Sequence, residues 1–227
     1  MLGTGVFVLP AVGAAAAGPY LWISYLVAGF IVLPAVLTKA ELATAMPVSG
    51  GAYVYVDRAM GPWMGTFAGL GTWFSLSAKT AFAFVGLGAY LVLFSNFSAL
   101  AFSIIAVLLL VWLNLMGVGK VSGIQKLIVV VCLATLAVFC YLGATSHDFQ
   151  QPTVQDTDAF RSILTGAAIL FAAYAGVTKV CSIAEEVHHP GRNLPLGMLA
   201  AQLSVMVIYG FVGWIFTGHL PADATPE

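Results

Sequence analysis

The chain has 227 residues, of which 61% are apolar and only 7% are charged. Soluble domains carry about 25% charged residues, so 8 basic and 9 acidic side chains cannot clothe a water-facing surface on a chain of this length. The composition places it in the membrane class, and a net charge of −1 offers none of the basic surface that a nucleic-acid partner requires.

A bilayer core takes about 20 apolar residues per helix. In chain order the apolar segments fall at 1–17 (short), 19–46, 62–94, 98–116, 122–143, 162–183 and 195–217. The fold class predicted is all-α integral membrane, with about seven transmembrane segments. "AGPY" (17–20), "PVSGG" (47–51), "SNFS" (95–98) and "MGVGK" (116–120) read as turns, "TSHDFQQPTVQDTDAF" (145–160) as one long polar loop, and "HHPGRNLP" (188–195) as a compact basic turn. Residues 47–61 mix Tyr53 and Tyr55 with Asp57 and Arg58 and suit an amphipathic connector at the membrane interface better than a span. No Lys or Arg precedes Lys39, so the basic region of a signal peptide is missing. With the first segment running outward, Lys39, Arg58, Lys120, Lys126, Lys179 and Arg192 fall on or near the cytoplasmic side and Arg161 falls outside, as the positive-inside rule favours. Cys132 and Cys140, eight residues apart, are separated by roughly 12 Å along a helix and cannot bridge.

Two segments carry helix-weakening residues inside the apolar run: Gly3-Thr4-Gly5 in the first, and "AAYAG" (172–176) in the sixth. Small residues in membrane helices also serve close packing. Interruptions at matching places in two halves of a chain are instead a mark of inverted-repeat transporters. An interruption exposes half-helix ends whose N–H groups suit a carboxylate and whose carbonyls suit an ammonium.

"MLGTGVFVLP" (1–10) resembles the first-helix G-S/T-G-I/V-F motif of the amino acid–polyamine–organocation superfamily of permeases. "ELATAMPVSGGAYVYVDRAMGP" (41–62) resembles that family's second-helix end and connector, and "FAAYAGVTKVCSIAEEVHHPGRNLP" (171–195) its sixth helix and following loop. The resemblance implies a partial leucine-transporter-like inverted-repeat fold. Residues 1–144 would form the first repeat without its opening half-helix, 145–161 an extracellular loop, and 162–227 the first two helices of the second repeat with a short tail. On this pattern the chain reads as a family member truncated at both ends.

The resemblance further implies a cell-membrane permease for amino acids or related amines, working by alternating access around a site at broken helices one and six. By position, the N–H groups of Gly3, Thr4 and Gly5 would hold the substrate carboxylate, and Tyr174, Ala175 and Gly176 would surround its amine and side chain. Tyr53 and Tyr55 would belong to the cytoplasmic gate, and Trp73 to the helix bordering the pathway. Transport would be coupled to protons or sodium, or be an exchange. Some proton-coupled members carry a lysine in the fifth helix, where this chain has Cys132. Lys79 instead lies inside the third segment. It is either a coupling residue or a snorkelling one that reaches the outer interface. The alternative function is a non-transporting membrane fragment or partner-dependent structural subunit. "EEVHH" (185–189) contains overlapping E-x-x-H pairs, but no facing ligand set accompanies it and Pro190 ends the helix there. No metal, no cofactor and no enzymatic activity are expected; the partners are the substrate, a coupling ion and the lipid bilayer.

Overall fold

A computed structural model describes residues 3–48, 50–92, 98–115, 118–146 and 158–219. Parts of the expected turns at 95–98 and 116–120, residues 147–157 of the long loop and the tail from 220 lie outside the described residues, as does the side chain of Thr4. Among the described residues every regular element is helical. The elements are α1 (Thr4–Phe7), α2 (Leu9–Ala17), a 3-10 turn (Gly18–Tyr20), α3 (Leu21–Ala45), α4 (Ala52–Met60), α5 (Pro62–Val92), α6 (Ala99–Leu115), α7 (Val118–Thr145), α8 (Ala159–Tyr174), a 3-10 stretch (Val177–Glu186) and α9 (Pro190–Gly218).

Among the described residues five helical runs are long and apolar enough to cross a membrane: Leu9–Ala45, Pro62–Val92, Lys126–Thr145, Ala159–Ser182 and Pro190–Gly218. The first of these contains two of the expected segments, divided by the 3-10 turn. Gly18 makes that division possible: it sits at φ 52° and ψ −130°, a backbone region that side chains resist, and Pro19 follows it. The segment expected at 98–116 appears as α6, whose 17 residues fall just short of a full span. The connector holds α4, nine residues long, too short to cross.

Helix α1 starts at Thr4, directly after Gly3, whose carbonyl accepts from the N–H groups of Val6 and Phe7. The helical path then breaks at Val8. Pro10 supplies the physical reason, because it has no N–H to give the carbonyl four residues back. One sequence expectation needs correction: "HHPGRNLP" is mostly helix. Pro190 occupies the start of α9, where a missing N–H costs nothing. His189 before it takes a left-handed conformation with φ 52°, and its carbonyl accepts from the N–H groups of Arg192 and Asn193.

The core is built on α3. It packs most extensively against α9 and next against α8. Tyr25 of α3, Tyr174 of α8 and Tyr209 of α9 are fully buried together. The Tyr209 ring lies 5.1 Å from Tyr25 and 5.1 Å from Tyr174, tilted and edge-on respectively. Such pairs are worth about 0.5–1.5 kcal/mol each beyond the area they bury. Gln202 of α9, also buried, donates through Nε2 to the Gly29 carbonyl of α3 at 3.1 Å, a polar link between helices in an apolar setting.

Tyr25 also donates its hydroxyl to the Gly5 carbonyl at 2.7 Å, tying α3 to α1. Replacing Tyr25 with Phe leaves that buried carbonyl without the hydroxyl, at an expected cost of about 1–3 kcal/mol. Reversible denaturation of the purified protein in mixed micelles measures it, and an unchanged stability would show that the bond contributes nothing.

Candidate functional site

The site grows from backbone groups left over where helices stop. A continuous helix hands each carbonyl to the N–H four residues on; an interruption withdraws that donor, and lipid cannot replace it. Around the α1–α2 interruption two tyrosines act as donors. Tyr25 reaches the Gly5 carbonyl from α3, and Tyr90 reaches the Phe7 carbonyl from α5. At the other interruption α8 ends at Tyr174, Ala175 and Gly176 form a turn, and the 3-10 stretch begins. There the Ala172 carbonyl accepts from the Lys79 Nζ of α5 at 3.2 Å and from the Ala175 N–H at 3.4 Å. An ammonium at a helix C-terminus also meets the negative end of the helix dipole.

Beside these ends lies a cavity of about 710 Å³. Gly3, Ala175 and Gly176 border it from the two interruptions, with Lys79 from α5 and Lys179 from the 3-10 stretch. The remaining wall is chiefly apolar, with Phe7, Leu76, Phe84, Leu87 and Leu110 among its side chains. Among the described residues that line it there is no Asp or Glu. A mostly apolar concavity with a few converging polar groups is the usual form of a small-molecule site.

The structure therefore brings together Gly3, Ala175, Gly176 and Lys79, residues from three places in the sequence reading. It separates Gly5 and Tyr174 from them. Gly5 is buried under α9, where a Cβ would collide with the Tyr209 hydroxyl and would also meet Ala173. Its role is close approach between helices. Tyr174 is buried completely and donates its hydroxyl to the Tyr25 carbonyl at 2.9 Å, so its side chain belongs to the scaffold. The Lys79 ammonium turns to the α8 terminus. Trp73 is 67% exposed and is not part of the cavity wall. In the connector Tyr53 is exposed while Tyr55 is buried. Burial pushes the Tyr55 phenol above its ordinary pKa, and the nearby Cys181 adds to that effect. Glu185, His188 and His189 of "EEVHH" are exposed.

Sequence reasoning missed two residues of this site. Lys179 was counted with the cytoplasmic cations, yet it lines the cavity. Its position three residues past Gly176 was the available signal, since that is one 3-10 turn beyond the interruption. Tyr90 carried no motif; only the fold reveals that it faces the end of α1.

The chain matches the amino acid permease family over residues 1–225. It is 30% identical to the branched-chain amino acid permease BcaP of Bacillus subtilis, over 97% of this chain and 52% of that protein. It is 29% identical to the chloroplastic cationic amino acid transporter 9 of Arabidopsis thaliana, over 100% of this chain and 44% of that protein. It is 26% identical to the methylthioribose transporter of Bacillus subtilis, over 97% and 52% respectively. The chain thus spans about half the length of the curated relatives it matches. Together with its apolar helices and interrupted first and sixth segments, this establishes that the chain is a multi-pass membrane protein belonging to the amino acid permease family.

Proposed function

We propose that the chain contributes the substrate site of a secondary transporter in the cell membrane, one that carries amino acids or related amines by alternating access. The observation that carries this reading is the shared cavity: both interrupted segments, through Gly3 and through Ala175-Gly176, border one space. Names of several relatives agree with it, since they refer to amino acids. In this reading the N–H groups of Gly3 and Thr4, at the start of α1, form the carboxylate end of the site, and Gly5 positions them by its packing against Tyr209. Tyr174 acts through its backbone and by holding α8 against α3, while Ala175 and Gly176 border the substrate. Residues 1–144 and 162–227 serve as parts of two inverted repeats, with 145–161 as the loop between them. Inverted-repeat transporters bind at broken helices because half-helix ends supply partial charges without the cost of a buried ion.

Lys79 is the coupling residue of this proposal, and the proton is the coupling ion. Its amine sits between an apolar wall and the end of α8. Loss of a proton there weakens the attraction to the α8 carbonyls, and its return restores it. Each transport cycle can thus carry one proton with the substrate.

Uptake of labelled amino acids into proteoliposomes reconstituted with the protein tests the main reading. Accumulation of at least one amino acid, saturable and absent from empty vesicles, is the expected result. No uptake across a broad panel rejects transport by this chain and leaves the partner-dependent structural alternative. The glycine at the turn gives a sharper measurement. Gly176→Leu fills the cavity from the α8 side, and substrate affinity is expected to fall by about tenfold or more, the effect of about 1.4 kcal/mol.

Coupling has its own readout. In the wild type an inward proton gradient is expected to raise uptake several-fold, whereas in Lys79→Met the gradient has no effect while downhill exchange continues. A gradient response that survives Lys79→Met would remove this lysine from coupling.

A further inference from the structure

The cavity has an unusual charge balance for a space that is to receive an amino group. Two lysines line it, no described lining residue is acidic, and the rest of the wall is largely apolar. The carbonyl end of α8, the natural seat for a ligand ammonium, already holds the Lys79 ammonium at Ala172. Low-dielectric walls strengthen charge–charge interactions, and an unpaired buried charge is costly. From this arrangement we infer that Lys79 and Lys179 make the cavity a charge filter, which admits amino acids with uncharged side chains and excludes those with cationic ones.

The filter deepens the proposed function and rests on its reading of the cavity as an amino acid site. A zwitterion brings a carboxylate that offsets a lysine, and its apolar side chain meets Phe84, Leu87 and Leu110. A ligand with a cationic side chain brings one more positive charge into a space that already has two, with no carboxylate in the wall to receive it. Lys79 is the stronger of the two determinants, because it both supplies a charge and occupies the α8 carbonyl. The filter also separates this chain from the relative named as a cationic amino acid transporter, despite their similarity across the whole of this chain.

Two measurements test the filter. The first needs no substrate. Cys132, Cys140 and Cys181 are replaced by Ala, and Ala83, which lines the cavity, is changed to Cys. The protein in nanodiscs then reacts with an anionic sulfonatoethyl and a cationic trimethylammonium-ethyl methanethiosulfonate. The rate ratio cancels the thiol's own ionisation. The anionic reagent is expected to be favoured at least tenfold over its ratio with a small free thiol. Lys79→Met should bring the ratio back toward that value, and Lys79→Arg should preserve it. Should Lys79→Met fail to fold, Lys179→Gln provides the same comparison. A ratio equal to the free-thiol value, or one indifferent to both neutral variants, overturns the filter.

The second measurement is equilibrium binding of labelled leucine and arginine to the same nanodiscs. Leucine is expected to bind at least tenfold more tightly than arginine, with Lys79→Met narrowing the gap. Equal binding by the unsubstituted cavity overturns the filter. If neither amino acid binds while the thiol ratio keeps its lysine dependence, the charge filter stands and the amino acid reading of the cavity falls.

Discussion

Everything in this fold depends on one constraint: a backbone carbonyl in a bilayer must have a hydrogen-bond donor. Helices meet it internally, and the two interruptions violate it locally. The chain repairs the violations with side chains from neighbouring helices. Tyr25 and Tyr90 donate to carbonyls of α1, and Lys79 donates to the end of α8. Each repair joins an interrupted segment to a continuous one. The interruptions and the packing of α3 and α5 around them therefore form a single design, in which a weakness of secondary structure specifies tertiary contacts.

The buried tyrosines extend this logic. Tyr174 donates to the carbonyl of Tyr25, and Tyr25 donates in turn to Gly5. A relay of two hydrogen bonds thus runs from α8 through α3 to α1. Tyr209 closes the group with its ring against both partners. It can approach only because Gly5 has no side chain at the contact. The same glycine that looked suited to ligand binding is needed for helix packing, and the cavity is bordered instead by Gly3 and by the Ala175-Gly176 turn.

Much of this was legible in the sequence. Apolar run lengths located most spans, since hydrophobic thickness leaves helices little freedom. The residues "AAYAG" located the end of α8, because a turn in a membrane needs small residues and a cavity beside it. Less legible was where the first helix breaks. Gly3 stands directly before the start of α1, but the break at Val8 carried no glycine to announce it; Pro10 causes it by removing a donor. The helical start of α9 was missed for a related reason. Pro190 reads as a breaker in a linear scan but is well suited to a first helical turn. The partners of Tyr174 and Tyr90 were not legible, because a tyrosine on an apolar helix shows its partner only when the fold supplies one.

Lys79 shows why a charge inside a span has to be read with the backbone around it. From sequence its long stem suited escape to the interface. In the fold a closer destination exists, because the end of α8 presents an under-satisfied carbonyl and a negative dipole terminus. The lysine and the interruption solve each other's problem: one needs an acceptor, the other a donor. That mutual satisfaction places a cation in the cavity wall. The structural repair of the backbone thereby sets the charge of the cavity.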